Sequence, residues 1–284
     1  MKYLLPIFIL CCQFAFAQKP DTRFNTKFYD AVDKWVVFDK KEGEQSYSLG
    51  FIYIDPQAGF TYNYESALEM QGSKVSKLPR LVNDSNIKVR LDRNTFDVLV
   101  LTPEQVKSLG LPAEPEWLAT YKVNQDFIEA RVGIGSAYNA AGASHHALPI
   151  LQKAYEENPH YPGLEFELAY AYNATQSFYK AVIVLNRAIE NDPSNFWYYR
   201  ELGFSLKHLN NLPEAEKAYR KGFELSTERD QRAEMAINMA QSYFNTKDRV
   251  KFDEWKKLVE ANADPDSMFM AYIKYFEENW AKPI

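Results

Sequence analysis

Cysteine is almost absent from this sequence. Its two cysteines, Cys11 and Cys12, are adjacent and lie near the start. Beyond them the chain has no thiol, which excludes disulfides, a thiol nucleophile and a cysteine metal site from nearly its whole length. Long apolar runs are also scarce. The first segment carries one, from Leu4 to Phe14, after Lys2 and before Ala15-Phe16-Ala17. A short basic start, an apolar stretch and a small-x-small signal predict a secretory signal peptide over residues 1–17, with the mature chain beginning at Gln18. Lipid anchoring at a cysteine is disfavoured, because the residues before Cys11 and Cys12 are Leu10 and Cys11 and neither is small. No later stretch approaches the ~20 apolar residues of a membrane span. A periplasmic or extracellular place in a bacterial envelope is expected. An exported chain without disulfides must then be held by a real core, and 46% hydrophobic residues can supply one.

Basic clusters are lacking too. The formal net charge is −5, loss of Lys2 makes it one unit more negative, and basic residues never run beyond two in a row. Nucleic acid and anionic membrane surfaces are poor partners for such a chain. Histidine occurs four times, at His145, His146, His160 and His208, and none falls in the first third.

That first third shows a period of two. Tyr47, Leu49, Phe51 and Tyr53 alternate with other residues, as do Phe60, Tyr62, Tyr64 and Leu68, around the turn Pro56-Gln57-Ala58-Gly59. Ile87, Val89 and Leu91 predict another strand, Asp92 to Thr95 a turn, Phe96 to Leu101 its return, and Lys34 to Phe38 a fifth strand. Gln71 to Ser85 reads as a loop. Thr102-Pro103-Glu104-Gln105 starts a helix that Gly110 stops, and Pro112 and Pro115 mark a joint.

The second half repeats itself every 34 residues. Ile134, Leu168 and Leu202 form one column, followed by Gly135, Ala169 and Gly203, then Tyr138, Tyr172 and Leu206. Ala147, Ala181 and Ala215 recur next, then Leu151, Leu185 and Tyr219, then Ala154, Ala188 and Gly222. Pro159 and Pro193 close the first two copies. Within a copy these residues lie on one face of each of two helices, where small residues let the backbones approach and large ones fill the remaining space. A fourth, eroded copy carries Ala240 and Tyr243 three residues out of register, with a second helix from Arg249 to Ala261 bearing Phe252, Trp255 and Val259. Beyond Pro265, Phe269, Tyr272, Ile273, Phe276 and Trp280 predict an amphipathic capping helix whose opposite face holds Lys274, Glu277 and Glu278.

Period and columns together resemble the tetratricopeptide repeat, a helix-turn-helix unit. The expected fold class is α+β. A small antiparallel β-rich domain over residues 18–112 precedes an all-α solenoid over 113–284, with three clear repeats, one degenerate repeat and a capping helix.

Catalytic signals are weak. His145 and His146 are placed at a turn between repeat helices, and His208 at a helix end where the dipole favours a cation. Gly133-Ile134-Gly135 lies inside a helix with no strand before it, which excludes a phosphate loop. No catalytic, cofactor or metal residues are assigned. The resemblance implies a concave groove lined by the first helices, which in this family holds peptides or partner segments. Here the groove residues are Val132, Ser136 and Asn139, then Phe166, Tyr170 and Asn173, then Trp197, Arg200, Phe204 and Lys207. The lysine-asparagine-arginine set with which one subclass grips carboxylate tails is not reproduced. The expected function is a non-enzymatic scaffold that binds a protein or peptide segment. Two other classes remain. One is a carbohydrate binder using the sheet face of Tyr47, Phe51, Tyr62 and Tyr64, and the other is an enzyme with carboxylates in the first third.

Overall fold

The computed structural model describes residues 23–79 and 87–282, so the expected signal peptide lies outside the described residues. The chain divides into two compact units. One gathers the described residues of Met1–Ile52, Asn63–Ile87 and Phe96–Pro115, and the other gathers Tyr53–Tyr62, Lys88–Thr95 and Glu116–Ile284.

Six strands form one sheet: β1 Lys34–Phe38, β2 Tyr47–Asp55, β3 Gly59–Gln71, β4 Lys74–Lys77, β5 Lys88–Arg90 and β6 Leu99–Val100, in the order β4-β3-β2-β1-β6, with β5 also on β3. β1 pairs antiparallel with β2, placing Trp35 opposite Phe51 and Val37 opposite Leu49. These rings meet edge to face at 5.2 Å, and Trp35 Nε1 donates to Pro112 O at 2.8 Å, so the indole is both packed and satisfied. The expected hairpin is present, with Gly59 at φ +74° closing its turn. The described part of the expected loop at Gln71 to Ser85 differs. Gly72 turns the chain and Lys74–Lys77 returns as β4, Val75 opposite Met70. Only Val75 is buried in that strand, and a lysine-rich edge strand leaves too weak an apolar alternation to read. The return strand is also shorter than Phe96 to Leu101, since Phe96 is exposed and the strand paired with β1 covers Leu99 and Val100, with Val98 bridging Thr26 instead.

The helix expected at Thr102 is α1, Pro103–Ser108. Thr102 Oγ1 accepts from Gln105 N, and Gln105 Oε1 accepts from Thr102 N, a reciprocal cap with proline in the first turn. A short helix α2, Ala119–Lys122, follows. The array then runs as four pairs: α3 Ile128–Ala140 with α4 Ser144–Glu157, α5 Leu164–Ala174 with α6 Phe178–Asn191, α7 Phe196–His208 with α8 Leu212–Leu225, and α9 Arg229–Asn245 with α10 Arg249–Asn262. Helix α11, Met268–Glu278, ends it. The fold is the expected α+β class.

The columns are explained by contact. A Cβ on Gly135 would run into Leu151, and one on Gly203 would lie 2.7 Å from the ring of the fully buried Tyr219. The small second column therefore makes room for the large fifth column on the facing helix. Each pair is joined by the same turn. Gly142, Gln176, Asn210 and Lys247 all have φ between 58° and 78°. The next amide reaches back to the same place in each copy, Ala143 to Tyr138 O, Ser177 to Tyr172 O, Asn211 to Leu206 O and Asp248 to Tyr243 O. This left-handed helix stop fixes the fourth copy's three-residue offset independently of its side chains.

The helical unit includes the hairpin tip. Phe60 meets Tyr138 edge to face at 5.0 Å, and Tyr53 packs on Trp117 and Tyr121 at 5.0 and 4.6 Å. Of the four aromatics expected to offer a carbohydrate platform, Phe51 and Tyr62 are buried and Tyr47 and Tyr64 are half-buried.

Candidate functional site

The first helices α3, α5 and α7 carry the predicted groove residues, and their burial separates two kinds. Asn139 and Asn173 are 3% and 5% exposed. Asn139 Nδ2 donates to Glu167 O at 2.9 Å and Glu167 Oε2 at 2.7 Å. One copy later, Asn173 Nδ2 donates to Glu201 O and Oε2 at 3.2 and 2.9 Å, while Ser205 Oγ donates to Asn173 Oδ1 at 2.6 Å. Ser136 Oγ joins the first set, donating to Glu167 Oε1 at 2.6 Å. The Nδ2 of each asparagine is committed to tying one first helix to the next, while Asn139 Oδ1 is buried without a hydrogen-bond partner among the described residues. Neither Nδ2 is free to pair with a bound backbone, as the sequence had suggested.

The third copy breaks this ladder. Lys207 stands where Asn139 and Asn173 stand, and Asn238 takes the place of the glutamate, so Lys207 Nζ donates to Asn238 Oδ1 at 2.6 Å and Gln241 Oε1 at 3.4 Å. The ammonium also sits 5.5 Å over the Phe204 ring. Among the described residues Lys207 has no carboxylate partner, and burial pulls its pKa down to about 8.

Arg200 is the opposite case. Its guanidinium is 14% exposed and donates to Glu201 Oε1 at 2.7 and 3.1 Å and to Gln231 Oε1 at 2.7 Å, with Glu234 Oε2 at 3.5 Å. Glu234 is raised by burial, against the pull of Arg200. The charge of Arg200 is thus already matched within the array.

Around these groups lies an aromatic row, all half-buried. Phe166 meets Trp197 edge to face at 5.5 Å and Tyr170 at 6.3 Å, and Arg200 covers Trp197 at 4.5 Å. Phe204 leans on Phe178 and His208 at 6.2 and 4.4 Å. His208 stacks flat on Phe178 at 4.7 Å. Burial and then Lys207 lower its pKa, against the helix-end dipole that favours the cation there. His145 and His146 lie in the first turn of α4 rather than in a turn between helices, with rings 4.2 Å apart. Gly133 to Gly135 lie inside α3, as expected.

A feature the sequence did not single out is a crevice of about 480 Å³ lined by Tyr155, Pro159, His160, Arg187, Glu190 and Asn191. His160 Nδ1 lies 3.1 Å from Glu165 Oε1, a carboxylate 2% exposed and raised by burial, partly offset by His160. No repeat column passes through either residue, so periodicity gave no signal for the pair.

Four helix pairs joined by one turn type, with small residues facing large ones, define a tandem helical-repeat scaffold. Residues 138–203 match the family profile of the tetratricopeptide repeat, and the helical half of this chain has the fold of an array of such repeats. Solved structures similar to it include MamA from MSR-1, at 23% identity over 51% of this chain and 85% of that one, with a TM-score of 0.43. Another is TTC0263, a thermophilic tetratricopeptide-repeat protein in Thermus thermophilus. It is 17% identical over 57% of this chain and 87% of its own, with a TM-score of 0.48. No curated protein matches the chain, and the profile match does not reach the β-rich first third.

Proposed function

We propose that this chain is a non-enzymatic, exported scaffold that holds an extended partner segment along the first-helix face of its array. Phe166, Tyr170, Trp197 and Phe204 supply the apolar anchors, and Lys207 takes a carboxylate from the segment. The observation that carries this reading is Lys207 itself, a desolvated ammonium held only by amide oxygens beside an aromatic row. A ligand carboxylate there would gain a charge-assisted hydrogen bond in a half-dry site. Arg200 and the two asparagines act as the frame.

The test is selection from a displayed library of short peptides, with melting followed in parallel. Selected peptides should carry an acidic side chain or free carboxyl next to an apolar residue. Lys207→Met should weaken their binding by about tenfold or more while leaving the melting temperature level or higher, because it removes a buried charge. Tyr170→Ala should also lose binding, with little change in melting. If Tyr170→Ala melts lower and Lys207→Met still binds, the aromatics serve only to pack the repeats and the groove reading fails. Export is tested separately by intact mass. A chain beginning at Gln18 supports cleavage after Ala17, and a lipid-bearing cysteine at the new terminus overturns it.

A further inference from the structure

The third column of the repeat is tyrosine in every copy but one. Tyr138, Tyr172 and Tyr243 hold it, and in the third copy it is Leu206. Tyr172 and Tyr243 are buried and close the seams between consecutive second helices. Tyr172 Oη accepts from Gln152 Nε2 on α4 at 2.9 Å, and Lys180 Nζ lies 5.7 Å over its ring. Tyr243 Oη donates to Glu216 on α8. The fully buried Trp255 of α10 belongs to the same cluster, with Arg220 of α8 over its ring at 4.7 Å. Each of these seams is filled by a phenol ring whose hydroxyl bonds the preceding second helix.

The seam between α6 and α8 has the same places and smaller occupants. Leu206 replaces the tyrosine, and Ala218 stands where copies two and four have Val184 and Trp255. Asn186 stands where Gln152 and Arg220 stand on their own helices. Two smaller side chains leave a space. It is a crevice of about 350 Å³, lined by the buried Leu202 and Ala218, the half-buried Val182 and Leu206, and the exposed Asn186. That volume is at the low end of ligand sites and suits a single side chain. The Asn186 amide has no hydrogen-bond partner among the described residues.

We propose that this crevice takes the tyrosine ring of a partner protein, supplied in trans where the other copies supply their own. Burial of the ring against Leu202, Leu206 and Ala218 drives its entry. Asn186 Nδ2 then donates to the phenol oxygen, as Gln152 Nε2 donates to Tyr172. Its side chain is one methylene shorter than that of Gln152, and a ring not tethered to α7 can shift to meet it. A phenylalanine ring buries nearly the same area and leaves that donor unused, so the site prefers tyrosine. None of these residues belongs to the first-helix aromatic row, and the site is independent of any ligand held there.

Ligand-observed NMR titration of the full chain with p-cresol, N-acetyl-tyrosinamide and N-acetyl-phenylalaninamide tests this. A molecule as small as p-cresol should bind with Kd on the order of 1 to 10 mM. N-acetyl-tyrosinamide should bind at least as well, and its phenylalanine counterpart about threefold more weakly. Leu206→Tyr should abolish binding by filling the space. Asn186→Leu, at an exposed helix position, should keep binding but erase the preference for tyrosine. Tyr170→Ala and Lys207→Met, in the first-helix row, should change nothing. Absence of saturable binding by about 20 mM overturns the proposal, as does binding that survives Leu206→Tyr or is lost with Tyr170→Ala. Equal binding of the two amides removes the role of Asn186 and overturns it too. Binding of p-cresol without N-acetyl-tyrosinamide would make this a site for a free phenol and overturn the partner reading.

Discussion

Glu216, on α8, carries one of the denser polar contacts of the array. Its carboxylate accepts from Tyr243 Oη, from Lys251 Nζ at 2.9 Å and from Arg220 at 2.6 and 3.0 Å. It thereby joins the third copy to both helices of the fourth. Burial alone would push its pKa up, but these three donors outweigh burial and hold it at about 2, against 4.5 for the free group. A folded-state pKa below the unfolded one gives stability that is fully present above about 4.5 and lost as pH falls towards 2. The linkage is at most about 3 kcal/mol. Glu216→Gln should therefore destabilise the chain at neutral pH and flatten this part of its acid sensitivity. Urea unfolding at pH 7 and again between pH 4.5 and 2 checks it, and equal slopes for both proteins would refute it.

Among the elements, the interhelical turn is the recurring device. Its left-handed residue is glycine only in the first copy, while Gln176, Asn210 and Lys247 carry side chains there at a cost of about 1 kcal/mol each. Gln176 is exposed and its amide bonds to Asn173 O at 3.0 Å, an interaction that glycine keeps. Gln176→Gly should raise stability by about 0.5–1 kcal/mol, whereas the same change inside a helix would lower it. Chemical denaturation of the two proteins measures this. No gain would mean that the turn is held by the packing around it and not by its own conformational preference.

For the whole molecule, the question is what folds with what. The helical unit takes in Tyr53–Tyr62, and Phe60, Tyr53 and Gly59 give α3 and the Trp117-Tyr121 turn their apolar neighbours. A fragment of residues 116–284 should be helical, because each copy buries its own columns. It should melt below the full chain and bind an apolar dye at the exposed rings of Tyr138 and Tyr121. A fragment that melts like the full chain would show the hairpin tip to be dispensable. An unfolded one would show that the array cannot stand without it.

The sequence by itself determined the repeat, its register and its helix pairs. Gly135 against Leu151 and Gly203 against Tyr219 are contacts between neighbouring helices, and periodicity sees such local pairings directly. It also determined the hairpin and the cap at Thr102, since turn and cap chemistry is written within a few residues. The face holding Asn139, Phe166, Tyr170, Asn173, Trp197, Arg200, Phe204 and Lys207 was legible as a face, but its division was not. Whether a polar group on that face is spent or free depends on a partner in the next copy, 28 positions on for Asn139 and Asn173 and 31 for Arg200 and Lys207. The same holds for β4, whose one buried residue finds its partner only when the sheet closes, and for His160 and Glu165. Hydrogen bonding and desolvation are set by what lies across the interface, so only the tertiary structure could tell a frame residue from one still able to take a ligand.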